Sequence, residues 1–470
     1  MNLQFLLDGY VQSPPVQQLA EAILLPKGQK ILCTKMAGSY AAVLFSALYQ
    51  RNDLNGLNHV IILEDAEEAA YFHNDLEQLI HPIDLFYFPS SFKTNKNFRI
   101  QSSSHVMLRT EALTRLAGGG NRKIIVTYPE ALMEKVSTAE SLSTNIISIK
   151  VNDRLDTDHV MEKLVGYGFE RADFVYEPGQ FAMRGGIFDI YSFGNEKPYR
   201  VELFGQDVDS IRIFDPETQL SERKLLQVNI IPNADAAYEG GEKIDLFSLI
   251  PENTIIYTSH WQLFMDRYRD HEDNLNLYLG QPHQPTDTKD TDEKHAEPDP
   301  EGFTPFERME LAMEKRTIVE MAATATIPSP GIVFTFDIAP QPSFNRQFEL
   351  LIKDLKAHEA AKKQLYIFAE NPKQLERLYS IFTDLRAEIQ FVPVPTAIHQ
   401  GFTDKDKGIV VYTDHQIFQR YHKYKIKQAY NKSKAITLRA LKELQPGDFV
   451  VHIDHGVGIF SGLQKVQNGG

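Results

Sequence analysis

Between residues 30 and 127, short apolar runs of strand length alternate with stretches of helical periodicity. The pattern predicts strands at 30–32, 59–63 and 123–127 and helices at 38–50 and 67–79. Strands and helices taken in turn imply a mostly parallel sheet. From 181 to 214 the period drops to two, with Gly194-Asn195, Gly205-Gln206-Asp207 and Asp215-Pro216 supplying turns. This stretch is predicted to be a three-stranded meander. In its middle strand Tyr199, Val201 and Leu203 point one way, and Arg200, Glu202 and Phe204 the other. The first face is a core face. The second carries a large aromatic beside an arginine, a costly pairing to leave in water and one that typically anchors a protein interface. A solvated arginine beside an aromatic that covers a sheet edge is the plainer alternative. Arg184 precedes Gly185-Gly186, read as a bulge, so that parity alone does not fix its face.

Beyond the meander, residues 225–265 carry short strands, including 255–258, with a helix at 263–268. They are expected to return to the first sheet, which would make the meander an insertion. Residues 303–325 read as helical. A further α/β unit follows at 332–417, with helices at 344–358 and 372–385 and strands at 364–369, 390–392 and 408–412. It offers no constellation that reads as chemistry. The chain closes on alternating residues at 447–460.

Composition narrows the class. A chain of 470 residues with 42% hydrophobic content supports several cores, roughly three or four domains. No run approaches the roughly 18 apolar residues of a membrane span, and Met1-Asn2-Leu3-Gln4 is no basic leader, so a cytoplasmic protein without a membrane partner is expected. The single cysteine, Cys33, forbids an intramolecular disulfide and a cysteine metal cluster. A net charge of −14 argues against coating nucleic acid through a general field. Two segments depart from the average. Residues 281–302 hold seven acidic residues, two lysines and four prolines, a composition that predicts a disordered acidic loop. Residues 419–442 hold eight Lys or Arg and no acid, with Tyr421, Tyr424 and Tyr430 interleaved. The latter reads as a solvated basic linker, with a nucleic-acid contact through Lys423, Lys425 and Lys427 as its alternative.

At the first strand-to-helix turn, a nucleotide-binding protein would carry G-x-x-x-x-G-K-[ST], whose amides and lysine hold phosphates. Here Cys33 stands at the first glycine, Gly38 at the second, Ser39 at the lysine and Tyr40 at the metal-binding hydroxyl. The charge opposite the phosphates is gone, and tyrosine is too bulky for the magnesium position. The loop is expected to be degenerate and not to bind ATP productively. Lys35 is a displaced lysine without a matching Ser or Thr. His452 and His455 do not make a metal site, because i and i+3 in a strand face opposite sides and no third ligand is near. No catalytic residue, metal or cofactor is assigned to this chain.

Several linked motifs carry a family resemblance: Gly166-Tyr167-Gly168-Phe169, the string GQFAMRGGIFDI at 179–190, YRVELFG at 199–205, Asp209-Ser210-Ile211-Arg212 and Phe214-Asp215-Pro216. They resemble the UvrA-binding domain shared by UvrB and the transcription-repair coupling factors, and the resemblance implies that Arg184, Arg200 and Phe204 contact UvrA. The string GDFVVHIDHGVGIF at 447–460 resembles the opening of the module with which that family binds the RNA polymerase β subunit. The degenerate loop resembles the family's helicase-like first domain, similar to UvrB without its ATP site.

The resemblance covers nearly the whole chain, strongly at 166–216 and 447–460. It implies an α/β multidomain chain: a degenerate, RecA-like helicase domain at 1–148 and 233–325, an inserted, mainly antiparallel α+β UvrA-binding domain at 149–232, a small α/β domain at 326–418, a linker at 419–442 and a truncated polymerase-interacting β domain at 443–470. It also implies UvrA recruitment to stalled RNA polymerase in nucleotide excision repair. ATP and magnesium would serve a translocase motor in other domains, which would also make the main DNA contacts and release the UvrA surface from masking. A UvrB-like, ATP-dependent repair enzyme is the alternative, and it would need an intact phosphate loop.

Overall fold

The computed structural model describes residues 2–26, 28–94, 97–234, 242–280, 299–424, 449–452 and 456–459. It divides into two units, Met1–Ile146 with Ile231–Lys427, and Ile147–Ile230 with Gln428–Gly470.

The first unit is built on a seven-stranded sheet, parallel throughout. Its order is Ile332–Thr335, Lys30–Thr34, Ile318–Met321, Thr254–Thr258, Asn58–Ile62, Ile124–Thr127 and Leu85–Tyr87. Four of the five inner strands are buried along their whole length and Lys30–Thr34 in its middle three residues, which is why they appear in sequence as largely apolar runs. The helix Ala66–Ile80 starts where Asp65 accepts hydrogen bonds from the N–H groups of Glu67 and Glu68, both at 3.0 Å, and ends at His81 in a left-handed conformation.

Several expectations are corrected here. The stretch 303–325 is not one helix: helix Phe306–Glu314 stops, and Ile318–Met321 becomes a fully buried strand. Lys315-Arg316-Thr317 breaks the helical periodicity, and the β-branched pair Ile318-Val319 fits a strand covered on both faces. Ile332–Thr335, expected in the following unit, is the edge strand of this sheet. The helix expected at 263–268 runs as Trp261–Leu279, and helices Asn2–Val11, Pro14–Ile23 and Ser103–Ala117 had no predicted counterpart.

The same unit holds a mixed five-stranded sheet, ordered Ile338–Pro340, Phe402–Asp404, Ile409–Thr413, Gln364–Phe368 and Val392–Val394. Helices Phe348–Ala360 and Pro372–Asp384 cover it through Leu351, Leu355, Leu378 and Phe382.

The second unit is mainly antiparallel. Its six-stranded sheet runs in the order Ser221–Leu225, Asp207–Phe214, Tyr199–Phe204, Ile187–Ile190, Gln180–Arg184 and Glu170–Arg171, the last pairing parallel. The chain enters this unit on Ile147–Lys150 and leaves it on Gln227–Ile230, and the two pair antiparallel with Ile147 opposite Ile230. Entry and exit side by side are what an inserted domain requires. The three-stranded meander is corrected to four strands over 180–214. Gly185-Gly186 is a two-residue hairpin turn, with Arg184 opposite Ile187 and Gly185 at φ +58.

Near the carboxy terminus, Phe449–His452 and Gly456–Ile459 pair antiparallel, so the single strand expected over 447–460 is a hairpin. The acidic segment 281–298, the basic residues 425–442 and His455 lie outside the described residues.

Candidate functional site

Two places were singled out from sequence, the outer face of the antiparallel sheet and the phosphate-loop position. On the sheet, register settles which side chains share a face. Asp189 lies opposite Arg200, Ile187 lies opposite Glu202, and Arg184 lies opposite Ile187. Arg184 and Arg200 are therefore on one face, the question that parity left open. The bulge falls elsewhere: Glu202 pairs with Ser210 and Leu203 with Val208, so the extra residue is Asp209 on the partner strand. The strand Tyr199–Phe204 stays regular, which keeps Arg200, Glu202 and Phe204 on the same side. The opposite side buries Phe181, Phe188, Ile190, Val201 and Ile211.

Both arginines turn onto one carboxylate. Arg200 donates from Nε to Asp189 Oδ1 at 2.8 Å and from Nη2 to Oδ2 at 2.9 Å, while Arg184 Nη2 reaches Oδ2 at 2.5 Å. Arg200 also donates to the Gln219 carbonyl at 3.0 Å, and Arg184 donates to the Asp173 carbonyl. Each guanidinium lies over an aromatic ring, Arg200 over Phe214 at 4.4 Å and Arg184 over Phe174 at 4.6 Å. The hydrogen bonds to Asp189 raise the pKa of Arg200 above its ordinary value. Two cations on one anion leave a unit of positive charge at this cluster, and on the same face Glu202 pairs with Arg212 at 3.3 Å and Asp207 lies opposite Phe204.

The three chosen residues differ in what they offer a partner. Phe204, beside the Gly205-Gln206 hairpin, is 84% exposed, the Arg184 side chain 33% and the Arg200 side chain 14%. Phe204 is a free apolar anchor, Arg184 is half-buried and Arg200 is mostly built into the sheet. Asp189 was missed from sequence, although it is fully buried and organises both arginines. An aspartate inside the apolar alternation Ile187-Phe188-Asp189-Ile190 was the available signal, since strands disfavour Asp unless it is paired.

At the other place, the strand Lys30–Thr34 runs through residues 35–39 into the helix Tyr40–Tyr49. Cys33 is buried within the strand, and burial pushes its thiol pKa up. The Tyr40 ring is buried edge-on against Tyr10 and Phe402, with ring centres 5.7 and 5.3 Å apart, and tilts against Phe336 at 5.6 Å. Lys35 is exposed. The Ser39 amide, where a phosphate oxygen would be expected at a helix amino terminus, donates to the Gln400 carbonyl at 3.1 Å. Ser39 Oγ donates to Asp75 Oδ2 at 2.6 Å and accepts from the Gln400 amide at 2.9 Å. Burial raises the Asp75 carboxyl pKa to about 7, against the lowering effect of hydrogen bonds from Ser39 and the His399 amide.

Of the basic trio, Lys423 is exposed, and Lys425 and Lys427 lie outside the described residues. Among the described residues no group of three His, Cys, Asp or Glu is placed to hold a metal ion, and no helix is long and apolar enough to cross a membrane.

With this geometry in place, comparison with known proteins defines the class. Residues 147–235 match the UvrB interaction domain, which takes in the whole antiparallel sheet, and residues 444–470 match the CarD-like/TRCF RID domain. The chain is an α/β multidomain protein carrying both modules. Over most of its length it is similar to transcription-repair-coupling factors: 24% identical to that of Staphylococcus aureus (strain bovine RF122 / ET3-1) over 501 aligned residues, covering 93% of this chain, and 25% identical to that of Staphylococcus haemolyticus (strain JCSC1435), covering 94%. The chain spans 42% of the length of each of these relatives. The family resemblance drawn from residues 166–216 and 447–460 is thereby upheld.

Proposed function

We propose that this chain is the recruitment part of a transcription-repair coupling factor: it binds UvrA through Arg184, Arg200 and Phe204 and brings it to stalled RNA polymerase in transcription-coupled nucleotide excision repair. The observation that carries this reading is the convergence of Arg184 and Arg200 on Asp189, on the face that also bears exposed Phe204, inside the stretch matched by the UvrB interaction domain. An apolar anchor on the same face as a doubly cationic cluster fits a partner surface with an apolar pocket and a carboxylate that meets Arg184.

The chain itself hydrolyses no ATP, because Tyr40 is spent on the core and the Ser39 amide on Gln400. In the complete protein, ATP and magnesium would drive a DNA translocase that displaces polymerase, and the module opening at 444–470 would bind the polymerase β subunit in the cytoplasm. DNA would be held mainly outside this chain.

The test is retention on immobilised UvrA. The wild-type chain is retained, and Phe204→Ala and Arg184→Ala are lost with unchanged circular dichroism. Retention of both variants at the wild-type level overturns the proposal.

A further inference from the structure

The segment from Thr396 to Gly401 connects Val392–Val394 to Phe402–Asp404 in the five-stranded sheet, yet several of its polar groups bond to the phosphate-loop turn and to the helix Ala66–Ile80 that cover the seven-stranded one. Thr396 Oγ1 donates to Gln78 Oε1 at 2.8 Å, and the His399 amide donates to Asp75 Oδ1 at 2.7 Å. The Gln400 amide and carbonyl both engage Ser39, through Oγ at 2.9 Å and the amide at 3.1 Å. The His399 ring stacks on Tyr71, ring centres 3.6 Å apart and planes 16° from parallel. Gly38, at φ +57, has no room for a side chain, since a Cβ there would stand 2.5 Å from the Gly401 carbonyl oxygen. Beside this junction remains a cleft of about 70 Å³, lined by Gly38, Ser39, Glu68, Asp75 and His399 among others.

The arrangement copies phosphate binding with protein atoms. A carbonyl oxygen, carrying partial negative charge, sits on the amide of Ser39, the residue that caps the helix amino terminus, and a glycine with positive φ lets backbone approach backbone. We infer that Thr396–Gly401 is a built-in ligand of the degenerate phosphate loop, a latch that takes the place of nucleotide phosphates and fastens the five-stranded sheet to the seven-stranded one. On this view the loop keeps a helicase-like site's shape for joining two sheets. The latch is independent of the UvrA-binding reading, since none of its residues lies between 147 and 235.

Amide hydrogen exchange on the whole chain tests it. In the wild type, the His399 and Gln400 amides exchange as slowly as that of Val411, which lies buried in the same sheet. In Ser39→Ala the Gln400 amide, which donates to Ser39 Oγ, speeds up roughly tenfold, the size of effect expected for losing one buried hydrogen bond, while Val411 keeps its protection. Ser39→Thr, which retains the hydroxyl, stays within about threefold of the wild type for the same reason. Millimolar pyrophosphate neither releases heat with the wild-type chain nor alters exchange at 399–401. Fast exchange at His399 and Gln400 in the wild type overturns the latch, as does identical exchange in wild type and Ser39→Ala. Pyrophosphate binding that frees the segment overturns it as well. Should Ser39→Ala fail to fold, the wild-type protection and the pyrophosphate titration still decide.

Discussion

Arg200 and Asp189 stand directly opposite each other on neighbouring antiparallel strands and close as a bidentate pair, 2.8 Å from Nε to Oδ1 and 2.9 Å from Nη2 to Oδ2. The carboxylate is fully buried, and its charge is compensated by the bidentate Arg200, with Arg184 as a second partner. This gives the docking face an internal brace. A partner meeting Arg184 meets a side chain whose position the brace has set.

Stability and docking are therefore expected to separate by residue. Arg200→Ala strips the bidentate and more buried partner from a buried carboxylate and should cost about 3 kcal/mol in urea unfolding. Phe204→Ala removes an exposed ring and should stay within about 0.5 kcal/mol of the wild type while losing UvrA retention. Equal unfolding midpoints for the two variants would contradict the brace.

The hairpin behind Arg184 makes a sharper distinction between two adjacent glycines. Gly185 sits at φ +58 with nothing near its would-be Cβ, so Gly185→Ala carries only backbone strain, about 1 kcal/mol. At Gly186 a Cβ would stand 2.7 Å from the Leu203 carbonyl oxygen, in the ladder where the Leu203 amide donates to the Gly186 carbonyl. Gly186→Ala must shift a strand, and it should lower the melting temperature by more than Gly185→Ala. A smaller loss at Gly186 would remove the close approach from the explanation of this Gly-Gly pair.

Much of this was legible in the chain. The parallel sheet showed because strands buried on both faces are written as apolar runs, and the docking face showed because Arg200, Glu202 and Phe204 alternate with Tyr199, Val201 and Leu203. Cross-strand facts were not legible. That Asp189 faces Arg200, and that Gly185-Gly186 turns the chain where a bulge was expected, depend on register, which single-strand periodicity does not contain. The occupation of the phosphate loop by Gln400 was hidden for a related reason: the two partners are 361 residues apart. Nothing local to Ser39 announces a carbonyl arriving from the other sheet.

That occupation makes the phosphate loop hard to repair. Ser39→Lys combined with Tyr40→Thr restores the lysine and hydroxyl of a working phosphate loop, yet is expected to bind no magnesium-ATP by calorimetry. The Gln400 carbonyl still holds the helix amino terminus, and removing the Tyr40 ring from its contacts with Tyr10, Phe336 and Phe402 should cost about 3 kcal/mol. Saturable binding of magnesium-ATP by the double variant would show that residue identity alone had silenced the loop.

The Asp75 carboxyl gives the junction a pH signature. Burial, with a further contribution from the nearby Glu68 carboxylate, raises its folded pKa to about 7 from an ordinary value of 3.8, and hydrogen bonds from Ser39 and the His399 amide only partly oppose this. A carboxyl with a raised folded pKa favours the protonated native state. Its contribution is fully present below the unfolded value and is lost as pH rises through the folded one, between about 4 and 7. His399 and His415 work in the opposite sense. Burial lowers both to about 4 from 6.5, and the neighbouring His422 and His415 lower His399 further, so their contribution is lost as pH falls through the same window. The total profile mixes these signs, so the informative quantity is the difference between wild type and Asp75→Asn, which removes only the carboxyl. Relative to the wild type, Asp75→Asn should gain melting temperature steadily from pH 4 to pH 7 and then level off. A difference that is flat across this range would mean that Asp75 stays ionised in the fold, and that the two hydrogen bonds it accepts outweigh its burial.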